Sequence, residues 1–112
     1  MEFETGYAGP AFVVRCLSDR VDAAAASEFR DGVRRVTLGS SGSVILDLSR
    51  VQFLDSSGLG AIVAVMKFLS PERRLELAAP SANVARVLRL TRMDTVFTIH
   101  PVAPAIGATD AA

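Results

Sequence analysis

Alternating strand-like and helix-like segments predict an α/β fold: a mixed sheet of four to five strands with helices packed on it. Three observations carry that prediction. The run Val44-Ile45-Leu46-Asp47-Leu48 is almost continuously apolar and bounded by turn residues, the pattern of a central strand buried on both faces. Segments on either side of it repeat their apolar residues every three or four positions, the period of a helix face. Parallel strands need crossover connections of that length, so the alternation implies parallel pairing after the opening hairpin.

Residues 2–8 alternate loosely and read as a short strand. Gly9-Pro10 marks a turn, and Ala11–Leu17 is an apolar, β-branched run of strand length. Asp22 is placed to cap a helix running from Ala23 to about Leu38, with Ala26, Phe29, Val33 and Val36 on its inner face. Gly39-Ser40-Ser41-Gly42 ends it. After the central strand and a short segment, Ser49–Leu54, a second helix runs to about Leu69, its apolar positions being Leu59, Ile62, Val63 and Met66. Ser70-Pro71 closes that helix, and Leu75–Ala78 is a short strand. A third helix turns Val84, Val87 and Leu88 inward, and Val96–Ile99 is the candidate last strand. The chain is expected to form a single domain over residues 1–112, with 101–112 a loosely ordered Pro-, Gly- and Ala-rich segment.

Composition narrows the function. Half of the 112 residues are apolar, and 12 basic residues balance 12 acidic ones. A balanced chain carries no electrostatic argument for nucleic acid or an anionic membrane as partner. No apolar run reaches the length of a membrane span, and the first residues lack the pattern of a signal peptide, so a cytoplasmic protein without membrane insertion is expected. One cysteine, Cys16, lies in an apolar run and reads as a buried thiol. One histidine, His100, cannot with Cys16 make a metal site, and no G-x-S-x-G elbow accompanies it. Neither cofactor, metal nor catalytic residue is expected, and the protein is read as a non-enzyme.

The informative segment is Val44 to Gly60, which carries the central strand into a loop and then, through Asp55-Ser56-Ser57-Gly58-Leu59-Gly60, into a helix N-terminus. There the first backbone amides lack partners and the helix dipole is positive. Loops at the carboxyl ends of strands are the usual functional edge of an α/β sheet. Local composition by itself supports a capped helix start, one serine acting as the cap. On that reading Gly58 and Gly60 only allow close helix–sheet packing. Local propensity does not explain two glycines in a first turn, each costing up to about 1 kcal/mol against alanine; a surface approached closely by a partner would.

This segment closely resembles the signature of STAS domains in anti-sigma-factor antagonists, where a strand ending in Asp is followed by a short loop and Asp-Ser-Ser-Gly-Leu-Gly. The resemblance extends over almost the whole chain. Leu17-Ser18-Asp19-Arg20-Val21-Asp22 stands where the family has a Leu-x-Gly-x-Leu-Asp segment, and Pro80-Ser81-Ala82-Asn83-Val84 matches the entry to its third helix. The resemblance implies a STAS-type fold and a phosphoacceptor at Ser56, with Ser57 the second candidate and otherwise a cap. Asp22, Asp55, Ser56, Ser57, Gly58, Leu59 and Gly60 then form the partner-binding surface. It also implies the partners: an anti-sigma factor with serine kinase activity, bound while Ser56 is unmodified so that a sigma factor is released, and a serine phosphatase that resets the site.

Two departures from the family pattern stand out. Asp19 replaces a common glycine, and two prolines in His100–Ile106 fall where the family often has a last helix, expected here to be short or missing. Two rival readings follow from the same residues. One keeps the fold and places the domain in another assembly, a stress-signalling complex or an ABC-type lipid transport system. The other is a nucleotide-binding protein cradling phosphate on the Ser56-Ser57-Gly58 turn, although no lysine completes a P-loop.

Overall fold

A computed structural model describes residues 1–107. Strands β1 (Phe3–Ala8) and β2 (Ala11–Cys16) pair antiparallel, Phe3 opposite Cys16 and Ala8 opposite Ala11. Gly9 turns this hairpin with φ of 59°, a conformation that costs a glycine nothing. The chain continues through β3 (Arg20–Val21), α1 (Ala26–Thr37), β4 (Val44–Asp47), β5 (Phe53–Leu54) and α2 (Ser56–Leu69). β6 (Leu75–Ala78), α3 (Ala82–Leu90), a 3-10 turn (Met93–Thr95) and β7 (Ile99–His100) complete it.

Five strands form one sheet in the order β1-β2-β4-β6-β7, parallel everywhere except at the hairpin. The predicted α/β architecture, a mixed sheet with helices packed on it, is therefore present, with Val44–Asp47 in the middle of the sheet and wholly buried. Side chains alternate between its faces. Phe12, Val14, Cys16, Val44, Leu46, Leu75 and Leu77 pack with Phe29 and Val33 of α1, Ile62 and Val65 of α2 and Leu88 of α3. All three helices thus cover one face. Ala11, Val13, Ile45 and Ala78 face the other way and meet Ala8 and Ile106 instead of a helix. On that face Arg15, opposite Asp47 in register, donates to its carboxylate at 2.7 Å and to Glu4 at 2.7 Å.

The C-terminal segment spans the helix-free face. It leaves β7 at one sheet edge and ends with the Gly107 amide donating to the Tyr7 carbonyl at the other edge, 2.8 Å away. Ile106 fills the space a side chain on Gly6 would need. Among the described residues no helix follows the 3-10 turn. Residues 108–112 of the expected loose segment lie outside the described residues.

Four features differ from expectation. Helix α1 starts at Ala26, not Ala23, and its N-cap residue Ala25 makes no side-chain cap. Asp22 closes the preceding turn instead, its carboxylate and carbonyl both accepting from the Ala25 amide. The Ala23 amide donates to the Asp55 carboxylate at 3.1 Å. In α2 the buried stripe is Gly58, Leu59, Ala61, Ile62, Val65 and Leu69, while Val63 and Met66 are half-buried at its margin. The last strand begins at Ile99 and not Val96, which is half exposed. Arg92 in the left-handed region (φ 61°) starts the 3-10 turn, Phe97 drops into the core, and pairing resumes where Ile99 meets Leu77. Finally, Ser49–Leu54 is not merely a connector, because Phe53–Leu54 pairs in parallel with Arg20–Val21 as a separate two-stranded sheet.

Candidate functional site

The small β3/β5 sheet assembles the site. Its register, Arg20 opposite Phe53 and Val21 opposite Leu54, brings the lead-in to α1 beside the lead-in to α2. Asp22 and Asp55 are the next residues on each strand. The Asp19 carbonyl extends the join by accepting the Gln52 and Phe53 amides at 2.7 and 3.1 Å. Asp19 keeps a φ outside the left-handed region, so the missing family glycine leaves the backbone path intact. What changes is an added, exposed charge.

Asp55 is the keystone. Its backbone is extended, one carboxylate oxygen accepts the Gly58 amide at 2.9 Å, and the other accepts the Ala23 amide at 3.1 Å. One side chain therefore caps α2 and ties the α1 lead-in to it. A carboxylate at a helix N-terminus also complements the dipole, by about 0.3–1 kcal/mol. The cap is thus Asp55 and neither serine, which corrects the reading of Ser57 as a cap. Asp has the longer reach needed to serve two amides from two segments.

With the cap supplied by Asp55, Ser56 and Ser57 occupy the first two helical positions, both exposed. Among the described residues neither hydroxyl enters a hydrogen bond. The two glycines separate in role. A side chain on Gly58 would place Cβ 2.1 Å from the Val21 carbonyl oxygen and 2.7 Å from Leu54, so Gly58 lets the helix touch β3. Gly60 is exposed, and a Cβ there meets nothing within 4 Å. Leu59 is buried and anchors the turn from beneath.

Of the residues expected at a partner-binding surface, the structure groups Asp22, Asp55, Ser56, Ser57, Gly58, Leu59 and Gly60 around the β3/β5 ends, but Gly58 and Leu59 are buried there. Sequence reasoning missed the Ala23 amide, Val21, and the Arg20–Phe53 pair, whose guanidinium carbon lies 4.4 Å from the ring centroid. Arg20 also donates to Asp22 at 3.3 Å. Two-residue strands carry no readable periodicity, and no local signal announces their pairing. Cys16 is fully buried, and burial pushes its thiol up. His100, on the edge strand β7, sits 2.7 Å from the Glu76 carboxylate. Among the described residues no group of three metal-ligating side chains occurs, and no helix is long and apolar enough to cross a membrane.

A sheet with helices on one face and an Asp-capped Ser-Ser-Gly turn at a strand's carboxyl end defines a STAS-type domain. A sequence model of the STAS domain matches residues 7–106, and the chain belongs to that family. Among solved structures, it is similar to an anti-sigma factor antagonist from Mycobacterium paratuberculosis. Identity is 26%, TM-score 0.78, and the match covers 90% of this chain and 86% of that one. The anti-sigma factor antagonist SpoIIAA in its unphosphorylated form matches at 21% identity and TM-score 0.65, over 88% and 87% of the chains. The Bacillus SpoIIAA has also been solved in the phosphorylated form, which matches at 22% identity and TM-score 0.59, over 88% and 90%. The murine anion transporter Slc26a9 contains the same fold, at 19% identity and TM-score 0.71, over 84% of this chain and 16% of that one.

Proposed function

We propose that this STAS domain is an anti-sigma-factor antagonist whose docking surface is switched by phosphorylation of Ser56. Unmodified, it binds an anti-sigma factor that is also a serine kinase and so releases a sigma factor in the cytoplasm. The kinase modifies Ser56, and a serine phosphatase restores it. The domain is substrate and ligand in this cycle, not enzyme.

One observation carries the reading: Asp55 satisfies the helix cap, so the Ser56 hydroxyl is exposed and free of any internal bond among the described residues. Modifying it breaks nothing in the fold. A phosphate adds about −1.5 to −2 charges at neutral pH. At the first position of α2 it is tolerated by the free domain, where the dipole favours it by about 0.3–1 kcal/mol. Against a closely docked partner, beside Asp55 and Asp22, the same charge brings repulsion and an unfavourable desolvation. Gly60, open to solvent, leaves room for close approach on the same turn.

The test pairs the domain with an anti-sigma factor kinase. Ser56→Ala should bind like the unmodified chain and take no phosphate, whereas Ser56→Asp should bind at least about tenfold more weakly. Mass spectrometry after incubation with kinase and ATP should place the phosphate on Ser56. Undiminished affinity of Ser56→Asp, or modification of Ser57 alone, would sink the proposal.

A further inference from the structure

Next to the Ser56 turn, between β5 and α3, lies an open groove of about 360 Å³ lined by Phe53, Leu54, Asn83, Arg86, Val87 and Leu90. Asn83 fixes its floor by donating to the Gln52 carbonyl at 3.4 Å. Its walls are apolar and open to solvent, with Leu90 71% and Phe53 40% exposed. Its charge is one-sided. Helix α3 contains no acidic residue, and Arg86, Arg89 and Arg92 form no ion pair among the described residues. Of the charged residues only Arg86 lines the groove itself, while Arg20, stacked on Phe53 beside it, is paired with Asp22 at 3.3 Å. The chain as a whole is neutral, so this concentration is local.

We infer that the groove receives an acidic, apolar segment of the same protein that docks on Ser56. This inference rests on the proposed function and adds the chemistry of the partner. Apolar side chains of the segment would cover Phe53, Val87 and Leu90, an exposed aromatic being the usual anchor of such contacts. Its carboxylates would pair with Arg86 and Arg89 at the rim, where opposite charges speed association and select the partner. Nucleic acid would meet the arginines but leave the apolar walls uncovered. The arrangement also sharpens the switch. Ser56 follows Leu54 by two residues, so its phosphate would repel an acidic occupant directly.

The experiment measures binding of the full chain to purified ATP-dependent anti-sigma factors encoded in the same genome. Arg86→Glu and Leu90→Asp are compared with Ser56→Asp and with Leu38→Asp, an equally exposed site (66%) on another surface. Both groove variants alter exposed side chains, and thermal melts check that the fold is kept. Arg86→Glu and Leu90→Asp should each weaken binding about tenfold, Leu38→Asp should leave it unchanged, and an acid-to-lysine change in the partner's segment should restore Arg86→Glu. If both groove variants bind normally while Ser56→Asp does not, the groove inference falls and the switch stands. If Ser56→Asp binds normally while the groove variants fail, the switch falls and the groove stands. Failure of every such factor to bind the unmodified chain removes both. Two other results overturn the acidic partner by naming another occupant: dimerisation lost on Leu90→Asp, and binding to phosphatidylglycerol vesicles lost on Arg86→Glu.

Discussion

Gly58 lies so close to the Val21 carbonyl that a methyl group on its Cα would sit 2.1 Å from that oxygen. Backbone meets backbone here, so neither side can yield by a rotamer change. Gly58→Ala should cost about 1–3 kcal/mol, the range for overpacking a tight contact. Gly60→Ala, one turn position away in open space, should gain up to about 1 kcal/mol through helix propensity. Chemical denaturation of the two variants checks the contrast. Equal effects would mean that the helix does not touch β3.

Asp55 holds two segments through one carboxylate, accepting Gly58 and Ala23 amides. Asp55→Ala should destabilise by about 1–2 kcal/mol, at the upper end for a lost N-cap. Asp55→Asn keeps one acceptor oxygen and should cost less. Hydrogen exchange should locate the loss: the Ala23 amide, at the start of the α1 lead-in, should exchange faster in Asp55→Ala together with Gly58.

The buried Asp47 carboxylate predicts an acid limb of stability. Burial pushes its pKa up, but hydrogen bonds from Arg15 and Ser49 outweigh that and hold it below the usual carboxylate range. A depressed folded pKa favours the native state above the unfolded value of about 3.9, and the benefit fades as pH falls through the folded value. Asp47→Asn should therefore lose about 1–3 kcal/mol at neutral pH. The gap to the unsubstituted protein should narrow below about pH 4. Parallel urea titrations at pH 7 and pH 3 measure it.

Cys16 sits in the core with its thiol raised by burial, and so presents little thiolate. A thiol reagent at pH 7.5 should label the native protein slowly. Full labelling, one equivalent per chain, should appear in denaturant. Fast native labelling would place Cys16 outside the core.

Periodicity exposes elements that are long and one-sided. The Val44–Leu48 run, the Phe29/Val33 stripe and the Leu75–Ala78 strand were legible because burial against a layer demands apolar residues at a fixed spacing. The Asp-Ser-Ser-Gly turn was legible as a helix start, and its likeness to the STAS signature picked Ser56 over Ser57. Short pairings left no such trace: Arg20–Val21 against Phe53–Leu54 is held by backbone bonds between distant segments, which nearly any side chains permit.

The sequence by itself therefore determined the α/β class, the central strand and the exposed serine turn, because hydrophobic period and turn chemistry are local properties. Only the tertiary structure decided that Asp55, not a serine, caps the helix. It also decided that Gly58 serves packing while Gly60 faces solvent, and that Phe53 and Leu90 meet in one groove. The Gly58 contact and the Asp55–Ala23 tie depend on what lies across the β3/β5 join, and the groove on how α3 packs beside β5. Long-range contact, not local propensity, assigns those roles.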